Sequence, residues 1–152
     1  MALGKTSLAV AAAAVAGAVA SDPRSVWYQN LRKPPWQPPG WAYGAVWTPL
    51  YGLLALAGAR ALRRAEGSGR TGFLAGFATN LTLNAAWTPL FFRAKAPRAA
   101  LADIVALDAA NVALIAQAYR IDRVAAAALV PYAAWTGFAT ALNLAIVRRN
   151  RD

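Results

Sequence analysis

The most informative stretch of the sequence is residues 27–41, which read Trp27-Tyr28-Gln29-Asn30-Leu31-Arg32-Lys33-Pro34-Pro35-Trp36-Gln37-Pro38-Pro39-Gly40-Trp41. This polar segment carries half of the six tryptophans of the chain and lies between two apolar segments. Proline fixes the backbone angle φ, so a loop this rich in proline is rigid. Rigid aromatic faces at the mouth of apolar helices predict a bundle that binds a flat, apolar ligand.

The composition indicates a membrane protein. The chain is 59% hydrophobic and 14% charged, whereas soluble domains are about 25% charged. The net charge of +10 suggests nucleic acid in a soluble protein, but here the basic residues lie at the ends of apolar segments. We therefore expect them to anchor on anionic lipid headgroups, with no nucleic-acid partner. They are Arg60, Arg63, Arg64 and Arg70, then Arg93, Lys95 and Arg98, then Arg148, Arg149 and Arg151.

The chain contains no cysteine and no histidine. Disulfides, zinc sites, Cys–His nucleophilic pairs and the usual axial ligands of haem are therefore excluded. We expect no metal site and no required cofactor, and a porphyrin would bind without a histidine or cysteine ligand to its metal.

Five apolar segments predict an all-α membrane protein with five transmembrane helices in a compact bundle, because about 20 residues cross a bilayer core. Residues 1–152 form one predicted domain. The predicted helices cover residues of about 5–22, 41–62, 71–92, 98–119 and 123–147, with a Trp/Pro-rich loop at 23–40.

The first segment, residues 7–20, has two interpretations. Lys5, the Ala/Val run and the small residues before Ser21 imitate a signal peptide with its cleavage site. The alternative is a retained first helix, and we favour it.

Several faces of the predicted helices carry side chains suited to a ligand. Tyr43, Trp47 and Tyr51 share a face of the second helix, and Trp135 and Phe138 share one of the fifth. Asn80 and Asn84 should face inward, because an amide is costly toward lipid. For Asn80 we favour an interhelical hydrogen bond. For Asn84 an interhelical hydrogen bond and contact with a ligand are equally favoured.

The fourth segment carries carboxylates inside an apolar run. Asp103 and Asp108 are five residues apart and do not share a helix face, so a paired-carboxylate mechanism is not expected. Asp103 lies near Arg98 and Lys95, which predicts an interfacial ion pair. Asp108 forms a polar stripe with Asn111, which faces either a cavity or a second subunit.

The third segment begins with a Gly-x-x-x-Gly pattern at Gly72 and Gly76. Small residues at this spacing let two helix backbones approach closely. The contact is either a homodimer seam or packing within the chain.

Several motifs in one order resemble the TspO/MBR family, which includes the translocator protein of mitochondria and the tryptophan-rich sensory proteins of bacteria. The resemblance extends from about Trp27 to Asn150. The motifs are Trp27-Tyr28, KPPWQPP (33–39), VWTPLY (46–51), LNAAWTPLFF (83–92), ALADI (100–104), VPYAAW (130–135) and FATALN (138–143).

The resemblance implies a five-helix bundle, often dimeric, with a pocket toward the first loop that binds protoporphyrin IX or haem. The positions matching that pocket are Trp27, Tyr28, Trp36, Trp47, Asn84, Trp87 and Trp135. The helix faces add Tyr51 and Phe138 as ligand contacts, and Arg32 and Lys33 are candidates to pair with the porphyrin propionates.

Two positions depart from the family pattern. The sterol-associated segment lacks its required tyrosine, since it reads Leu142-Asn143-Leu144-Ala145-Ile146-Val147-Arg148, which argues against sterol binding. Asp108 stands where many relatives carry an apolar or aromatic residue.

The favoured function is an integral membrane sensor or carrier that binds a tetrapyrrole and responds to oxygen, stress or porphyrin level. One alternative is an enzyme that degrades porphyrin with light and oxygen, using Trp47 and Trp135 as redox partners; otherwise no catalytic residue is expected. A small-molecule or lipid transporter ranks lower, because the chain shows no internal repeat. A purely structural bundle does not explain the Trp/Pro loop.

Overall fold

The computed structural model describes residues 2–151. Within them the protein folds into six α-helices and one π-helical turn. No β-strand occurs within those residues, so the predicted all-α bundle is confirmed. In chain order the elements are α1 (Ala2–Ala20), α2 (Val26–Asn30), α3 (Gly40–Arg64), α4 (Gly67–Thr88), the π-helical turn (Pro89–Arg93), α5 (Pro97–Ile121) and α6 (Arg123–Arg149).

Four helices among the described residues, α1, α3, α5 and α6, are long and apolar enough to cross a membrane. Helix α4 has 22 residues, which at about 1.5 Å per residue also matches a bilayer core of about 30 Å. It is less apolar because it carries glycines, threonines and two asparagines. Since α4 packs against α1, α3 and α5, these polar groups have helical neighbours.

The long helices run up and down between two ends of the bundle. The hydroxyl of Thr6 in α1 donates to the carbonyl of Ala55 in α3 (2.9 Å), which places the start of α1 beside the second half of α3. At the opposite end, the side chain of Asn150 bonds both backbone groups of Arg32. We call these ends the N-terminal face and the loop face.

The element boundaries differ from the expected ones in three places. The loop at 23–40 contains the short helix α2, where the Ser25 hydroxyl accepts the backbone N–H of Tyr28. Helix α4 begins at Gly67 instead of about residue 71, since Gly67 takes a left-handed φ of 55° that glycine adopts without strain. After α4 the chain continues through Pro89 in a π-helical turn.

A row of hydrogen-bonded side chains, which we call the polar seam, joins α4, α5 and α6. It comprises Asn80 and Asn84 of α4, Asn111 of α5, and Tyr132 and Thr136 of α6, all buried. Asn84 donates to the hydroxyl of Tyr132, which donates to Asn80 (both 2.9 Å). Asn80 then donates to Asn111 (2.5 Å), which donates to Thr136 (2.8 Å). Both asparagines of α4 therefore face inward, as predicted.

The two carboxyl groups of α5 lie beside this seam. The Thr140 hydroxyl lies 2.5 Å from Asp108 Oδ2 and 2.9 Å from the Thr136 carbonyl. One hydroxyl has a single proton to donate, so Thr140 donates to only one of these two oxygens at a time. Asp103 makes no ion pair with Arg98 or Lys95 among the described residues. The predicted interfacial pair is wrong, because Asp103 Oδ2 is turned into the protein and buried.

At the N-terminal face, Asp122 ties α3 to the start of α6. Its carboxylate accepts from Arg60 Nε (2.9 Å) and lies 3.4 Å from Arg64 Nε. The same carboxylate caps α6 through the backbone N–H of Val124. Burial acts to raise the pKa of Asp122, but the hydrogen bonds from Arg60 and Val124 and the two positive charges outweigh it and lower that pKa.

The glycine pair of α4 packs within the chain. The backbone carbonyl of Gly72 accepts from Gln117 of α5 (3.4 Å), and a Cβ added at Gly76 would lie 2.7 Å from Gln117 Oε1. The close contact that the spacing predicted is therefore between α4 and α5. A homodimer seam at Gly72 and Gly76 stays a prediction.

Candidate ligand-binding site

Aromatic rings line the contact between α3 and α6 toward the loop face, and we call this row the aromatic seam. Trp47 stacks on Tyr51 within α3 (5.2 Å between ring centroids), and Trp135 stacks on Phe138 within α6 (5.4 Å). The two stacks meet edge to face, with 6.4 Å and 90° between Trp47 and Trp135. Aromatic pairs of this kind stabilise a contact by about 0.5–1.5 kcal/mol beyond the buried area.

Trp36 of the Trp/Pro-rich loop covers the outer end of the aromatic seam. Its ring lies edge-on to Phe138 at 5.8 Å, and the side chain remains 47% exposed. Tyr43 in the first turn of α3 adds an edge contact to Trp135 at 6.0 Å. Of the predicted ligand residues, Trp36, Trp47, Tyr51, Trp135 and Phe138 therefore belong to one continuous group of rings.

Three other predicted ligand residues belong to a second aromatic group, beneath α2. Trp27 and Tyr28 contact Phe91 edge-on, at 5.6 and 6.2 Å, and Trp87 stacks on Phe91 at 5.0 Å. The indole N–H of Trp87 donates to Asn143 (2.9 Å). This second group attaches the loop to the end of α4, whereas the ring of Trp36 contacts the aromatic seam.

Tyr28 is also held by polar contacts within the loop. Gln37 donates to its hydroxyl (3.0 Å), and the ammonium group of Lys33 lies 4.4 Å from its ring centroid. Burial raises the pKa of the Tyr28 hydroxyl, an effect that the hydrogen bond from Gln37 partly offsets. Tyr28 is thus a neutral hydrogen-bonding group at physiological pH.

The two candidate propionate contacts differ in their availability. The side chain of Arg32 is exposed, and its backbone groups are fixed by Asn150. The ammonium group of Lys33 donates to the carbonyls of Tyr28 (2.6 Å) and Leu31 (3.3 Å). Two of the three N–H donors of Lys33 are therefore already used, whereas the guanidinium group of Arg32 is exposed.

Asn84 and Tyr132 connect the aromatic seam to the polar seam. Asn84 donates to the Tyr132 hydroxyl, and the Tyr132 ring contacts Trp47 edge-on at 6.2 Å. Tyr132 was not predicted as a site residue. A signal for it existed, because a tyrosine inside an apolar helix needs a hydrogen-bond partner for its hydroxyl.

Comparison with known proteins places these features in a family. Residues 6–149 match the model of the TspO/MBR family, which is nearly the whole chain. This match includes both aromatic groups and the polar seam.

Individual relatives agree with this match. The chain is 40% identical over 124 residues to a tryptophan-rich sensory protein of Cereibacter sphaeroides, covering 82% of this chain and 77% of that protein. It is 35% identical over 126 residues to the human translocator protein, covering 82% and 75%. It is 32% identical over 144 residues to protein CrtK of Rhodobacter capsulatus, covering 94% and 89%. The chain therefore belongs to the TspO/MBR family and is an integral, multi-pass membrane protein.

Proposed function

We propose that this membrane protein is a sensor or carrier that binds a tetrapyrrole, protoporphyrin IX or haem, on the aromatic seam between α3 and α6. The observation that carries the proposal is the meeting of the Trp47–Tyr51 stack with the Trp135–Phe138 stack. The ring faces of these stacks suit a flat macrocycle, because offset stacking is a preferred arrangement of aromatic surfaces.

The ligand would enter from the loop face. At the N-terminal face α3 and α6 are tied by the hydrogen-bonded ion pair of Arg60 and Asp122, whereas toward the loop face they meet through rings. A macrocycle that stacks on Trp47 or Trp135 replaces one ring contact by another. Displacing Trp36 from Phe138 would open this end, and a substantial minority of complexes show loop rearrangements on binding.

The charges at the loop face suit a ligand that carries carboxylates. Arg32 has an exposed side chain and begins the segment that leads to Trp36. A guanidinium group there can pair with a propionate through two hydrogen bonds. Without histidine or cysteine in the chain, free-base protoporphyrin should bind without needing iron.

An enzymatic alternative rests on the same geometry. Trp47 and Trp135 lie edge to face at 6.4 Å, so a porphyrin excited by light would have oxidisable indole rings beside it. In that case the protein would promote oxygen-dependent breakdown of the bound porphyrin, with the two tryptophans as redox partners.

Spectroscopy of the purified protein separates these functions. Protoporphyrin IX is titrated into the protein in detergent, and its Soret absorbance is followed first in the dark and then under light with oxygen. A saturable Soret shift without faster bleaching is expected for a binding protein. Bleaching faster than that of porphyrin in empty micelles indicates the enzyme, and no shift at all rejects the tetrapyrrole proposal.

A further inference from the structure

An open basin of about 700 Å³ lies at the N-terminal face, at the opposite end of the bundle from the Trp/Pro-rich loop. It is formed where α3 and α5 end and α6 begins. Four arginines line it: Arg60, Arg64, Arg120 and Arg123. Because α3, α5 and α6 are membrane-spanning helices, their ends place this basin at the level of the lipid headgroups.

The basin contains a single carboxylate, that of Asp122, which does not neutralise the charge of its arginines. Asp122 is 5% exposed, accepts hydrogen bonds from Arg60 and the backbone of Val124, and forms an ion pair with Arg64. Four guanidinium groups against this one carboxylate leave a net charge of +3 on the lining residues. The carboxylate holds Arg60 and Arg64 in position, and guanidinium groups fixed in this way lose less freedom when they bind an anion.

The rim of the basin carries exposed side chains with apolar surface. Tyr119 of α5 is 56% exposed and Val124 of α6 is 54% exposed, and both line the basin. The guanidinium group of Arg123 lies over the ring of Tyr119, 5.2 Å from its centroid. The surface thus presents cations next to exposed apolar side chains, which suits a ligand with an anionic head and a hydrocarbon tail.

We propose that this basin is a binding site for the phosphate headgroup of an anionic phospholipid, with its acyl chains against Tyr119 and Val124. The site differs from general attraction to a charged membrane. Arg60 and Arg64 are held in place by Asp122, whereas Arg148 and Arg149 make no ion pair among the described residues. The basin therefore predicts retention of one lipid per chain, selected by headgroup charge.

Native mass spectrometry of the full chain tests this proposal. Protein is released from micelles that contain equal amounts of phosphatidylglycerol and phosphatidylcholine, and the retained lipids are counted. The test variant is Arg120→Gln/Arg123→Gln, because neither residue contacts Asp122 in the ion pairs. The matched control is Arg148→Gln/Arg149→Gln, which removes the same charge from adjacent arginines at the other face.

We expect wild type and control to retain one phosphatidylglycerol, and the test variant to lose roughly thirtyfold in affinity for it. Equal retention by all three proteins would reject the basin, and an equal loss in both variants would mean that only net charge matters. Circular dichroism and the thermal unfolding midpoint establish that the variants are folded.

A competition distinguishes a lipid site from a site for free phosphate. Glycerophosphoglycerol carries the same phosphodiester as phosphatidylglycerol but has no acyl chains, so millimolar concentrations should leave the retained lipid in place. If it displaces phosphatidylglycerol, the basin is a soluble-anion site and the lipid proposal fails.

Discussion

The aromatic seam and the polar seam both run along α6, but they join it to its neighbours by different forces. The polar seam binds α6 to α4 and α5 through directional hydrogen bonds between buried side chains. The aromatic seam joins α6 to α3 through ring contacts, and the rings of Trp47 and Trp135 are only partly buried. One interface is therefore held in a directional geometry, and the other depends on contacts between ring faces and edges.

This difference has a physical origin in the membrane. Lipid tails are as apolar as leucine, so helices in a bilayer gain little from the hydrophobic effect and depend on packing and hydrogen bonds. A buried amide that loses its partner costs free energy, whereas a partly buried ring leaves no hydrogen-bonding group unpaired when a ring contact is lost. Helices α4, α5 and α6 are thus joined by hydrogen bonds, and α3 is the side that would open under the proposed function.

The largest expected effect comes from breaking the polar seam with Asn111→Leu. The substitution leaves Asn80 without its acceptor and removes the donor to Thr136, so the free energy of unfolding should fall by about 1–3 kcal/mol. Thermal or denaturant unfolding in detergent measures this. Val112→Leu is the control, since Val112 is 70% exposed on the same helix. Equal stability of the two variants would mean that the seam contributes nothing beyond packing.

The second effect concerns the proposed ligand and the aromatic seam. Trp135→Leu or Trp47→Leu removes a stacking face worth about 0.5–1.5 kcal/mol, so protoporphyrin affinity should fall roughly two- to tenfold. Soret absorbance is the measurement, because tryptophan fluorescence loses its reporter in these variants. The control is Trp41→Leu, because Trp41 is 76% exposed. Wild-type affinity in both seam variants would remove these residues from the site.

Hydrogen bonds between side chains on different helices could not be predicted from this sequence. The apolar runs predicted the helical bundle, and the cost of an amide in lipid predicted that Asn80 and Asn84 face inward. The partners of these asparagines are Asn111 and Tyr132, on two other helices. A single sequence does not reveal such pairing, because it depends on the rotation and depth of each helix.

The errors have local physical causes. Glu66 to Gly69 looks like a loop, but Gly67 takes a left-handed φ and lets α4 begin immediately after Glu66. Asp103 lies within reach of cations along the sequence, but the helix turns it inward. Asp122 was not singled out because it lies between apolar runs, although an aspartate directly before a helix is a strong capping signal.

The third effect tests the close approach of α4 to α5 beside the polar seam. Gly76→Ala would place a Cβ 2.7 Å from Gln117 Oε1, but that flexible side chain can rotate away. Gly69→Ala, with no atom within 4 Å of the new Cβ, is the control for helix propensity. We expect the Gly76 variant to be less stable than the control by about 0.5–1 kcal/mol, with an unchanged mass in sedimentation. A change of oligomeric state would place the pair at a dimer seam instead.

The smallest effect concerns the ion pairs of Asp122 with Arg60 and Arg64, which join α3 to α6 at the N-terminal face. Asp122→Asn keeps a side chain that can cap α6, since asparagine is as good an N-cap as aspartate. It removes only the charge that pairs with Arg60 and Arg64. Unfolding midpoints at several pH values, compared with those of wild type, therefore isolate the ion pair.

The pH dependence follows from the lowered pKa of Asp122 in the folded protein. A group with a lowered pKa contributes its full stability above its unfolded pKa, about 3.9 for aspartate, and loses it as the pH falls through the folded value. The wild type should thus be more stable than Asp122→Asn by a constant amount between pH 5 and pH 7. The difference should shrink below about pH 4, as the carboxylate takes up a proton. A difference that persists undiminished at the lowest pH would show that the geometry of the side chain, and not its charge, holds α3 to α6 at this end.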